Sequence, residues 1–102
     1  MRAHLLHTCL KNHFFKVIGT TEQSQVAVMT LKSGGDSGPE DIHAGDQVVY
    51  VIEGEARVVI NGEEGKVGAG EIVVISADSQ HHIYNDGDTD LFVLNFYSSP
   101  EY

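Results

Sequence analysis

From His13 onward, short apolar runs alternate with polar, glycine-bearing breaks. The segments 13–18 (HFFKVI), 25–31 (QVAVMTL), 47–52 (QVVYVI), 55–60 (EARVVI), 71–75 (EIVVI), 81–84 (HHIY) and 91–97 (LFVLNFY) are of strand length and rich in β-branched and aromatic residues. Two weaker segments, 41–43 and 63–67, read as short polar strands. Asn61-Gly62 between two runs marks a two-residue hairpin, because both residues tolerate positive φ. SGGDSGP at 33–39 is the strongest loop. No stretch after residue 12 shows a 3.6-residue period. The pattern predicts eight or nine short strands in an all-β barrel or sandwich, a single domain over residues 1–102. Residues 1–12 are read as a short helix or an arm, with Leu5, Leu6, Cys9 and Leu10 on one side.

Length changes little in that picture: 102 residues suffice for one core. The lone Cys9 excludes an intramolecular disulfide and fits a reducing, cytoplasmic setting. No apolar run approaches a membrane span, and no signal peptide is read at the N-terminus. Fifteen acidic against six basic residues give a formal charge of −9. Without a basic stripe to neutralise phosphates, nucleic acid and anionic membrane surfaces are excluded as partners. The Asp86–Asp90 run (DGDTD) fails as a calcium loop, having Leu91 where glycine is required. No P-loop or nucleophile-elbow pattern is present.

The candidate chemistry lies in Gly35–Gly54 and Gly70–Asn85. Asp41, His43 and Gln47 stand at even spacings, which on one strand places side chains on one face. His81 occurs in a similar apolar setting. Two imidazoles and a carboxylate suffice for Fe, Mn, Zn or Ni, and the set with open positions suits non-haem iron. On spacing alone the plainer reading is of hydrogen-bonded polar residues near strand ends. His82 alternates to the opposite face, and His4, His7 and His13 lie outside these segments. By alternation from Gln47, Val49 and Val51 point inward, as do Ile83 and Asn85 on the His81 run. On 91–97 the set Phe92, Leu94 and Phe96 is expected to line a pocket rather than Val93, Asn95 and Tyr97, an apolar lining suiting a small organic ligand.

These segments resemble the two motifs of the cupin superfamily. The first, G-x5-H-x-H-x3,4-E-x6-G, is matched in spacing by Gly35, Asp41, His43, Gln47 and Gly54. The second, G-x5-P-x-G-x2-H-x3-N, is matched by Gly70, Ser76, Asp78, His81 and Asn85. Asp41 stands where the family has its first His and Gln47 where it has Glu, while Ser76 and Asp78 replace turn-forming Pro and Gly. The ligand changes compensate in charge: three His with Glu, and Asp and Gln with two His, both carry −1. The resemblance covers about residues 26–97. It implies a small antiparallel jelly-roll barrel and a divalent transition metal held by Asp41, His43, Gln47 and His81. It further implies a small-molecule ligand or substrate and a homodimer formed through residues 13–31. Three functions follow as expectations: a metal-dependent, dioxygenase-like enzyme, a non-catalytic binding or sensing module, and an isomerase- or epimerase-like protein. No catalytic residue is assigned.

Overall fold

The structure is a computed structural model that describes residues 10–38 and 41–102. Eight strands follow in order: β1 (Phe15–Thr20), β2 (Gln25–Leu31), β3 (Asp46–Glu53), β4 (Glu55–Ile60), β5 (Glu63–Gly68), β6 (Ile72–Ile75), β7 (His81–Tyr84) and β8 (Leu91–Ser98). They form a five-stranded sheet ordered β1-β2-β8-β3-β6 and a three-stranded sheet ordered β5-β4-β7. Every strand pair is antiparallel. The expected jelly roll is present as two facing sheets, not as one continuous closed ladder. Among the described residues no helix is long and apolar enough to cross a membrane.

The strand sequences explain the layers. On β3 burial alternates, with Gln47, Val49 and Val51 turned inward and Tyr50 outward. Val49 and Val51 join Met29, Val58, Ile75 and Ile83 in the core between the sheets. Burying side chains of this size contributes roughly 1.5–3 kcal/mol each. β8 carries apolar residues on both faces, and the part of its outer face around Phe92 is covered. Phe92 packs there with Leu10 and Val28, flanked by Ile18, Ile52 and Leu94. Of the expected arm, Leu10, Lys11 and Asn12 are described, with Leu10 buried, whereas residues 1–9, including Cys9, lie outside the described residues.

The turns follow their residue chemistry. Asn61 (φ 50°) and Gly62 (φ 83°) form the expected hairpin between β4 and β5. Asp78 also adopts a left-handed conformation, φ 64°, at the position of the motif's glycine. Asp tolerates that region better than most non-glycine residues, so the substitution preserves the backbone path. The expected strand at 41–43 is absent. Asp41 instead makes an isolated bridge to His81, and Asp36 another to Tyr84. Asp36, Ser37 and Asp41 thereby lie beside β7, with Ser37 N donating to Ile83 O at 2.8 Å.

Candidate metal and ligand site

The two motif segments are joined first through their backbones. Asp41 N donates to His81 O at 3.1 Å and His81 N to Asp41 O at 3.0 Å. Asp78 N donates to His43 O at 2.8 Å. This pairing, rather than a shared strand face, converges the four residues. His43 sits in the loop before β3, Gln47 on β3 and His81 at the start of β7.

They surround a cavity of about 280 Å³. Its polar wall is Asp41, His43, Gln47, His81, Ser37 and Asn95. The remainder is Phe14, Phe15, Met29, Ile83, Tyr97 and Tyr102. Among the described residues none that lines it is Lys or Arg.

His43, Gln47 and His81 are buried, and the His43 and His81 rings lie 4.8 Å apart between centroids. Each imidazole turns Nδ1 toward a protein acceptor. His81 Nδ1 lies 3.2 Å from Ser79 O, and His43 Nδ1 lies 3.3 Å from Glu101 Oε2. A proton carried on Nδ1 would leave Nε2 as an acceptor on either ring. Burial pushes the His81 imidazole below its ordinary pKa, favouring the neutral form that ligation requires. Gln47 Nε2 donates to Asn95 Oδ1 at 3.1 Å, while Gln47 Oε1 is buried with no hydrogen-bond partner. Such an oxygen is costly to bury unless something binds it.

Asp41 is different. Its side chain is 54% exposed, at the rim. Oδ1 accepts from Ile42 N at 2.9 Å, and Oδ2 stands 3.9 Å from His43 Nε2. Among the described residues no group of three or more His, Cys, Asp or Glu is placed to hold a metal ion. The donor set that fits a divalent cation is two imidazole nitrogens and the unpartnered amide oxygen, with Asp41 standing off at the edge.

The pocket-lining expectations need correction. Ile83 lines the cavity, whereas Val49 and Val51 belong to the core between the sheets. Asn85 is buried, but its Nδ2 donates to Leu31 O and Thr89 O, and it pins the loop after β7. Phe92, Leu94 and Phe96 have the opposite parity to that expected: Phe92 and Leu94 belong to the outer cluster, and Phe96 is exposed. The register gives the reason. Gln47 pairs with Tyr97 and Val49 with Asn95, so the inward face of β3 continues through Val93, Asn95 and Tyr97. His82 turns away from His81 as alternation requires, and stacks on Tyr84 at 4.2 Å.

Tyr97 and Tyr102 were not singled out from sequence. Tyr97 meets His43 edge-on at 5.4 Å, and Tyr102 meets it at 5.8 Å. Burial raises the pKa of both phenols, so they act as neutral donors. Parity from Gln47 was a usable signal for Tyr97. Nothing in the local sequence marks Tyr102 or Glu101, which reach the site through long-range contacts.

Comparison with known proteins agrees with this architecture. A cupin domain profile matches residues 27–97. An uncharacterized protein of Streptomyces coelicolor is 31% identical over 67 residues, a match covering 66% of this chain and 63% of that protein's length. Among solved structures, a Bacillus halodurans protein superposes with a TM-score of 0.87 at 24% identity, covering 99% of this chain and 84% of its own. An RmlC-like cupin from Shewanella frigidimarina gives 0.76 at 21% identity, with coverages of 85% and 76%. KdgF from Halomonas sp. gives 0.77 at 22% identity, with 85% and 78%. At these identities the structural likenesses carry the fold alone.

Proposed function

The chain belongs to the cupin family, and from that premise we propose that it holds a divalent transition metal in its cavity and uses it to bind and transform a small organic molecule. One observation supports the reading: Gln47, whose buried Oε1 has no hydrogen-bond partner, lines the same cavity as two imidazoles whose Nδ1 atoms are turned to protein acceptors. His43, His81 and Gln47 are the proposed holders, and Asp41 the carboxylate able to close from the rim. Fe, Mn, Zn and Ni are all compatible with nitrogen and oxygen donors. A metal bound there supplies Lewis-acid or redox chemistry, the dioxygenase-like outcome being the redox case.

The chain's own residues have separable tasks. Phe14, Phe15, Met29 and Ile83 provide an apolar wall that excludes water from a bound ligand. The Tyr97 and Tyr102 phenols, held protonated by burial, donate hydrogen bonds to ligand oxygen rather than accept protons. That weighs against a tyrosine base; the isomerase-like alternative would then rest on a pocket histidine. A binding module using the same pocket is the second reading, and the apolar part of the lining suits it.

Metal content separates these readings. Untagged protein purified without chelator is expected to retain a transition metal, and His43→Ala and His81→Ala to lose it. Equal, negligible content in all three removes the metal reading. Oxygen consumption by iron-loaded protein with catechols, flavonols and thiols then separates enzyme from binder. We further propose a second copy of this chain as partner through residues 13–31, because β1 is an edge strand. Sedimentation as a monomer at working concentration would remove that proposal.

A further inference from the structure

We propose that Glu101 is the positioning residue of His43, and that Gln25 is the latch that keeps it there. The segment after β8 returns across the cavity mouth. Gln25, 1% exposed on β2, spends its amide on that segment. Its Oε1 accepts from Glu101 N at 3.1 Å and from Tyr102 N at 2.9 Å, and its Nε2 donates to Tyr102 O at 2.6 Å. The latch leaves Glu101 in a fixed place. Its Oε1 accepts from Ala44 N at 3.0 Å, next in the chain to His43, and its Oε2 stands 3.3 Å from His43 Nδ1. One carboxylate therefore grips the His43 loop by its backbone and faces the imidazole at the same time.

A carboxylate at Nδ1 selects the tautomer in which Nδ1 carries the proton and Nε2 does not. For His43, Nε2 is the nitrogen on the Asp41 side of the ring. Glu101 touches neither a ligand nor the proposed metal, and acts through His43 alone. The tautomer claim stands on the protein's own contacts. Its consequence for metal affinity rests on the proposed function.

The test uses full-length, metal-free protein labelled with 15N-histidine, with long-range proton–nitrogen correlation at mildly alkaline pH. The His43 signals are assigned by their loss in His43→Gln. Wild type is expected to show His43 protonated on Nδ1. Glu101→Ala is expected to shift it toward the Nε2–H form, and Glu101→Gln, which keeps an acceptor oxygen, to restore the wild-type tautomer. Gln25→Ala, with folding checked by its melting transition, is expected to act like Glu101→Ala. A His43 tautomer unmoved in Glu101→Ala overturns the proposal. A shift in Glu101→Ala with none in folded Gln25→Ala overturns the latch. Zinc affinity by chelator competition is expected to fall about 10- to 100-fold in Glu101→Ala. Wild type binding zinc no better than Glu101→Ala overturns the positioning role, whereas wild type binding no zinc sinks only the metal reading and leaves the tautomer result standing.

Discussion

Gln47 Nε2 donates to Asn95 Oδ1 across 3.1 Å, and Gln47 Oε1 is left buried without a hydrogen-bond partner on a side chain that lines the cavity. The pair joins β3 to β8, on the face where Val49 and Asn95 are cross-strand partners. If Oε1 awaits a cation, a carboxylate there should serve better. Gln47→Glu is expected to raise zinc or iron affinity by roughly tenfold or more, since a full charge replaces a dipole beside a dication. The same variant without metal should melt lower than wild type, because it buries an unpaired carboxylate, and should regain stability on adding metal. Chelator competition and thermal melts with and without metal check both. A Gln47→Glu protein indifferent to metal would show that this side chain does not serve a cation.

Gly45 makes the second prediction. A Cβ there would lie against the Ser98 carbonyl and the Ser99 amide nitrogen, backbone atoms with no flexible end to yield. Gly45→Ala must therefore push apart the His43 loop and the segment that carries Glu101. Destabilisation of about 1–3 kcal/mol or more is expected, the range for overpacking. Urea unfolding measures it, and the His43 side-chain resonances should move as well. A neutral Gly45→Ala would mean that the two backbones separate freely.

Strand positions were legible because β-branched runs and the Asn61-Gly62 turn are local signals. The convergence of His43, Gln47 and His81 was legible only through motif spacing. The reason first given for it, a common strand face, does not hold, because 41–43 is a loop braced on β7. On β8 the expected parity fails for a physical cause: both faces of this strand carry apolar residues, and bulk favours Phe92, Leu94 and Phe96. Only the register with Gln47 distinguishes the faces. Glu101 was invisible because Gln25, far away on β2, decides where it lies.

The two faces of β8 can be separated by stability. Phe92 is fully buried in the outer cluster, so Phe92→Ala should cost about 3–5 kcal/mol. Phe96 is 40% exposed, and Phe96→Ala should cost under about 1 kcal/mol. Neither change should alter metal affinity in protein that remains folded, whereas Tyr97→Leu, on the cavity face, should alter it. Denaturant unfolding with metal titration decides; weaker metal binding by Phe96→Ala would restore the parity first expected.

The last prediction concerns the outer face of the three-stranded sheet and the sign of its pH dependence. Arg57 Nε donates to Asp86 Oδ2 at 2.6 Å, and its guanidinium lies 3.9 Å from the centre of the Tyr84 ring. The Arg57 hydrogen bond holds the Asp86 carboxyl below its ordinary pKa. A carboxyl depressed in the folded state contributes stability above the unfolded value of about 3.9, and loses it as pH falls through the folded value. Arg57→Ala removes its ion pairs with Asp86 and with Glu64, the latter at 3.1 Å, as well as the ring contact. Its melting temperature should therefore lag wild type most near neutral pH, and the gap should narrow as pH falls below about 4. The part of the gap that survives in acid belongs to the Arg57–Tyr84 contact, which does not titrate there. Melting curves of both proteins from neutral to acid pH measure this, and a gap constant across that range would assign the whole effect to the ring contact and none to the two ion pairs.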